Sequence, residues 1–150
     1  MIKIICVGKI KEKYLEDAIK EYEKRISKYT KLEIIEVKDE SFDEVKTLIT
    51  EKDSILKYVS DKDFIITMEI DGNEIDSVTF ANKLDSIQSN NSNITFIIGG
   101  SYGLHPDIKA LSNYKLSFSK MTFPHQLFRV ILLEQIYRAF KINNNESYHK

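Results

Sequence analysis

The chain has 150 residues, enough for one domain with one sizeable core, and its 42% hydrophobic and 30% charged residues with a formal net charge of −1 are ordinary for a soluble globular protein. No apolar run approaches the roughly 18 residues that span a bilayer, and the apolar start around Ile4 and Ile5 is too short for the core of a secretory signal, so a cytoplasmic protein without membrane attachment is expected. With one cysteine, Cys6, no intrachain disulfide can form, and His105, His125 and His149 show no metal-ligand spacing, so no metal site is expected.

In chain order, strand-like and helix-like segments alternate. Residues 2–7 are an apolar run closed by Gly8, which predicts a buried strand with Cys6 as a core thiol. Residues 10–28 predict an amphipathic helix with Tyr14, Leu15, Ala18, Ile19, Tyr22 and Ile26 inward. Residues 32–37 alternate apolar and acidic side chains, as a half-buried strand does. A helix capped by Ser41 or Asp43 follows over 43–59, with Val45, Leu48, Ile49, Ile55 and Leu56 inward and a break near Asp53. Residues 64–70 predict a strand ending in a turn at Asp71-Gly72-Asn73, and 77–88 a helix burying Val78, Phe80, Ala81, Leu84 and Ile87. Residues 94–98 are a strand running into Gly99-Gly100, followed by a short helix at 105–112 and a strand at 114–118. Pro124 is placed to start a last helix reaching about residue 142. No repeat or linker interrupts this order, so one domain over residues 1–150 is expected.

Alternating β and α units imply an α/β fold with a mostly parallel sheet covered by helices on both faces. The last helix is apolar around most of its circumference, from Leu127 through Ile142, and so needs cover on nearly all sides. A second subunit in a symmetric homodimer supplies that cover; the helices at 10–28 and 43–59 are the alternative. Charge is uneven. Residues 105–150 hold seven Lys or Arg against three acids, whereas 61–104 hold two lysines against seven acids. The basic segment suits an anionic partner, or is simply a solvated face.

Two loops and the tail are the places for chemistry. Ligands bind at the carboxyl ends of strands in open α/β sheets, and Ile98-Gly99-Gly100-Ser101-Tyr102-Gly103 lies at such an end. It is neither a Rossmann fingerprint nor a P-loop, and reads as a ligand loop or as a tight structural turn. The stretch Ser117–His125 offers backbone polar groups and apolar walls that fit a purine, or is a connector whose Met121 and Phe123 are core. The tail ending in Tyr148-His149-Lys150 suits contact with a base and phosphate, or frays.

Four ordered motifs carry a resemblance over the whole chain: Gly99-Gly100-x-x-Gly103-Leu104; Ser117-Phe118-Ser119-Lys120-Met121-Thr122-Phe123-Pro124-His125; Glu134-Gln135-x-Tyr137-Arg138-Ala139; and Tyr148-His149-Lys150. Together with Val7-Gly8-Lys9, the chain resembles the ribosomal RNA large subunit methyltransferase H family. The resemblance implies a SPOUT-type α/β fold with a deep C-terminal trefoil knot, which periodicity has no means of showing. It implies a homodimer that uses S-adenosyl-L-methionine to methylate N3 of a pseudouridine in 23S rRNA of the assembled 70S ribosome. Cofactor contacts then fall on Met68, Gly99, Phe118, Ser119, Lys120, Met121, Thr122 and Phe123, with Met68 standing where leucine is expected. Catalytic roles fall on His149, Tyr148 and Arg138. Imidazole titrates near neutral pH, so His149 is the candidate base for the N3 proton or else positions the nucleotide. Arg138 pairs with phosphate or uracil carbonyls, or forms an i,i+4 ion pair with Glu134. Two rival functions are a non-enzymatic RNA- or ribosome-binding module that keeps the knotted fold, and a nucleotide-binding enzyme of small molecules.

Overall fold

A computed structural model describes residues 1–150. The elements are β1 (Ile2–Val7), α1 (Lys13–Ile26), β2 (Leu32–Val37), α2 (Glu44–Leu56), β3 (Phe64–Glu74), α3 (Ser77–Asn90), β4 (Ile94–Ile98), α4 (Pro106–Ala110), β5 (Tyr114–Ser117) and α5 (His125–Asn143). The five strands form one parallel sheet in the order β2-β1-β4-β3-β5. The α/β architecture expected from the alternating pattern is therefore present, and every strand delivers its carboxyl end to the same edge.

Side-chain alternation splits the core into two layers. Ile2, Ile4 and Cys6 of β1, with Ile94, Phe96 and Ile98 of β4, face a large cluster completed by α1, α3 and α5. Ile5, Val7, Ile65 and Ile97 face a smaller cluster with Ile55 of α2 and Ile108 of α4. Cys6 is 1% exposed, and burial pushes its thiol up to about 12, so it is inert packing rather than a nucleophile.

Helix α5 packs on α1 and α3, burying Leu132, Leu133 and Ile136 completely, at roughly 1.5–3 kcal/mol each. The expectation that α1 and α2 would cover it holds only for α1, because α2 lies on the opposite face of the sheet. Its other buried anchor is Arg129, 1% exposed, which donates to Glu36 Oε2 at 2.6 Å and to the Gly8 carbonyl at 3.0 Å. That pair fastens the start of α5 to the ends of β1 and β2.

Four local expectations are corrected. Asp43 caps α2 by accepting from Lys46 N at 3.0 Å, but the helix runs through Asp53 unbroken. Its buried positions are Thr47, Glu51 and Ile55, while Val45, Ile49 and Leu56 are exposed. A three-residue stripe with two polar members outcompetes the apolar one because the polar groups find partners: Thr47 Oγ1 accepts from Phe42 N and Glu51 Oε2 from Glu40 N. Tyr14 and Val78 also stand exposed on helices that otherwise bury their expected faces. Finally, Asp71-Gly72-Asn73 is not a turn. β3 continues to Glu74 with a register shift between Met68 and Asn73, laying Gly72 so close to β5 that a Cβ there would meet the Lys115 carbonyl at 2.9 Å.

Candidate active site

At the carboxyl edge of the sheet, β4 and β5 end beside Met68–Asp71 of β3 around a cavity of about 490 Å³. Its floor is the glycine loop after β4. Gly103 N donates to Gly100 O at 3.0 Å and Gly103 has φ +75, a conformation that favours glycine. A Cβ on Gly99 would lie 2.5 Å from Gly103 O, so this tight loop closes only without a side chain. The opposite wall is the segment between β5 and α5. Ser117 Oγ donates to Ser119 O at 3.1 Å, and Ser119 Oγ accepts from Met121 N at 2.9 Å, which folds the segment back over the cavity. Phe118 and Phe123 pack on Phe128, with ring centroids 5.2 and 6.0 Å apart.

Of the eight residues expected at a cofactor, Met68, Gly99, Phe118, Ser119, Met121, Thr122 and Phe123 line this cavity; Lys120 is exposed and does not. Met121, 76% exposed, is not core as the connector reading would have it. Sequence reasoning missed Glu69, Lys109 and Phe128, which also line it. Glu69 was open to inference, since it directly follows Met68 at the end of a strand. Lys109 was not, because α4 reaches the cavity only through the fold.

The other three expected residues form a second cluster around Glu134. Arg138 Nε donates to Glu134 Oε1 at 3.0 Å, and Tyr148 OH donates to Glu134 Oε2 at 2.6 Å. The Arg138 guanidinium lies 4.7 Å from the Tyr148 ring centroid, and Tyr148 meets Tyr137 edge-on at 5.0 Å. The tail is thus packed rather than frayed here. The hydrogen bond to Glu134 favours the protonated phenol and, with burial, pushes Tyr148 up to about 12. Arg138 Nη1 sits 3.0 Å from His149 Nδ1. Guanidinium has only donors, so Nδ1 is the acceptor, and a neutral His149 carries its proton on Nε2. Arg138 thus forms the i,i+4 ion pair with Glu134 and touches the tail at once.

Arg138, Tyr148 and His149 do not line the cavity. Phe128 and Arg138 are ten residues apart on α5, which is about 15 Å at helical rise. Cavity and cluster therefore lie toward opposite ends of one helix.

The family described as "Predicted SPOUT methyltransferase" matches residues 1–149. A ribosomal RNA large subunit methyltransferase H of Clostridium tetani is 52% identical, covering 99% of each chain. A Methanococcus maripaludis relative, provisionally given the same name, is 59% identical with the same coverage. Among solved structures, a probable methylase family protein of Haemophilus influenzae aligns with TM-score 0.59 at 15% identity, over 99% of this chain and 70% of that one. A tRNA methyltransferase of Aquifex aeolicus aligns with TM-score 0.54 at 13% identity, over 91% and 69%. The two structures show the shared fold alone. On the sequence matches, the chain belongs to the ribosomal RNA large subunit methyltransferase H family of SPOUT methyltransferases.

Proposed function

We propose that this chain, as one methyltransferase domain over residues 1–150, uses S-adenosylmethionine to methylate N3 of a pseudouridine in 23S ribosomal RNA. It acts as a homodimer on the assembled 70S ribosome, in the cytoplasm. The observation that carries the reading is the pairing of a glycine-floored, aromatic-walled cavity with a tail cluster of Arg138, Tyr148 and His149. A cavity of about 490 Å³ is within the range of small-ligand sites, roughly 300–1,000 Å³, and its apolar walls and backbone groups suit a nucleoside. Met68, Gly99 and the segment Phe118–Phe123 would hold the cofactor, Lys120 through its backbone. When bound, S-adenosylmethionine supplies an electrophilic methyl group carried on a sulfonium.

The chain's own work is to orient the nucleotide and exclude water. Arg138 supplies fixed donors for phosphate or the uracil carbonyls. His149, held by Arg138 in the Nε2–H form, stands as a hydrogen-bond donor; to take the N3 proton its Nδ1 must first leave Arg138. Tyr148, fixed to Glu134, offers a ring face for stacking.

The homodimer rests on α5. Leu127, Val130, Ile131, Glu134 and Arg138 recur at helical spacing on one face, and all five are at least partly exposed, Leu127 at 40%. Two copies crossing antiparallel on this face, as a two-fold axis permits, bring the tail of one protomer toward the cavity of the other. That removes the 15 Å gap within one chain. The trefoil knot belongs to the same proposal. The near-neutral charge supports an assembled target, since a protein with little excess basic charge gains little counterion-release affinity for free RNA.

The test is transfer of radiolabelled methyl from S-adenosylmethionine to 70S ribosomes lacking the modification, beside separated subunits and naked 23S RNA. Label in 23S RNA from whole ribosomes alone is the expected result. Efficient labelling of naked RNA contradicts the assembled target. No label, with no calorimetric binding of S-adenosylmethionine, favours the non-enzymatic module.

A further inference from the structure

The side chains of full charge that line the cavity come from one region, apart from its aromatic wall: Glu69 and Asp71 from β3, and Lys109 from α4. Two of them are paired. Lys109 Nζ stands 3.8 Å from Glu69 Oε1. Glu69 is also fixed from behind, because Thr67 Oγ1 donates to Glu69 Oε2 at 2.6 Å and Ser112 Oγ lies 2.7 Å from Thr67 Oγ1. Ser112 itself is within 2.9 Å of the Tyr114 carbonyl. The Glu69 side chain is only 11% exposed, so this carboxylate is held in one orientation, with Oε1 toward the lysine and Oε2 occupied by the threonine.

A carboxylate and an ammonium less than 4 Å apart at the edge of the cavity match one kind of group well. An α-amino acid end carries an ammonium and a carboxylate on a single carbon, a complementary pair of charges at similar spacing. Phosphate fits poorly, because two carboxylates line the cavity against one ammonium. A ribose diol can donate to Glu69 and accept from Lys109, but it is neutral and leaves both charges without a counter-charge. The surplus of one negative charge in the lining also matches a ligand of net charge +1, which a sulfonium-bearing amino acid has.

Resting on the reading of the cavity as the methyl-donor site, we infer that Glu69 and Lys109 form the receptor for the amino-acid end of the donor. Glu69 Oε1 takes the α-ammonium and Lys109 the α-carboxylate, each trading its present partner for the ligand's. Asp71 contributes only to the field. The pair thus distinguishes donors by their amino-acid arm and leaves nucleoside recognition to the aromatic wall.

Calorimetry on the full-length protein tests this with three ligands: S-adenosylmethionine, S-adenosylhomocysteine, and 5′-methylthioadenosine, which keeps the nucleoside and sulfur but lacks the amino-acid arm. Glu69→Gln keeps an acceptor for Thr67 and removes the charge; Lys109→Met, on another element, guards against misfolding of the first. A charge-assisted hydrogen bond is lost in each, so Glu69→Gln weakens the first two ligands about 10- to 100-fold, and the more exposed Lys109→Met about 5- to 10-fold. Neither changes affinity for 5′-methylthioadenosine, which also shows that the variants are folded. Equal weakening of all three ligands, or no weakening of any, overturns the assignment while leaving the donor site standing. Wild-type protein that binds none of them contradicts the donor-site reading itself, and this assignment with it.

Discussion

The cavity and the tail cluster differ in what they are made of. The cavity is built from glycine backbone, short hydroxyl side chains and aromatic faces, with glycine required where Gly99 meets Gly103. The tail cluster is built from long polar side chains that hold one another: Glu134, Arg138, Tyr148 and His149. Backbone groups fixed by a turn lose little entropy on binding and suit holding a ligand. Side chains that donate and accept protons suit the chemistry. On the proposed reading, holding the donor and acting on the acceptor are separate tasks, and each can be broken without the other.

The largest expected effect is at His149. His149→Ala should lower turnover by roughly 10²–10⁴-fold, read from single-turnover methyl transfer, while calorimetric affinity for S-adenosylmethionine stays unchanged. Loss of both together would erase the division between the regions. Next comes Arg129, which ties α5, the helix that carries both regions, to Gly8 and Glu36. Arg129→Met removes one partner of an ion pair, a change that costs roughly 3–5 kcal/mol when both are buried; the partly exposed Glu36 puts the loss at the lower end, measured by urea unfolding. Wild-type stability in that variant would mean the pair fastens nothing.

Gly99→Ala should act on the cavity alone. Its methyl would collide with Gly103 O, and such overpacking costs roughly 1–3 kcal/mol, so donor affinity should fall about 5- to 150-fold while the tyrosine titration near pH 12 set by Tyr148 persists. The smallest effect lies outside both regions. Glu51 is 3% exposed, and burial holds its carboxyl above the usual glutamate range. The folded state therefore binds this proton more tightly than the unfolded chain. Stability should fall as pH rises above about 4.3, the unfolded value, toward the raised folded value. Glu51→Gln should remove that slope and raise the melting temperature slightly at neutral pH, since glutamine still accepts from Glu40 N. A variant less stable than wild type at neutral pH would show that the charge is used.

The parallel sheet, the glycine loop and the site segment 117–125 were legible because each has a local signature: apolar runs, paired glycines, a hydroxyl-rich connector before Pro124. The α2 face was not. Glu51 and Thr47 read as outward residues, and only the backbone donors of Phe42 and Glu40, placed by the fold, make their burial possible. Gly72 read as a turn because the same residue type permits both a reversal and a close strand crossing. Glu69 and Lys109 meet from positions 40 apart, which no local pattern encodes. The spacing of about 15 Å along α5 between Phe128 in the cavity wall and Arg138 was likewise invisible before α5 had a length and neighbours.

In the proposed dimer the cavity of one protomer meets the tail of the other. The most direct test is a mixed dimer, purified through two different tags, of Gly99→Ala with His149→Ala. If the tail of one protomer serves the cavity of the other, one site of the mixed dimer has an intact cavity and an intact tail, and methyl transfer recovers to about half that of the wild-type dimer. Activity no higher than that of either parent variant contradicts the account and confines each site to a single chain.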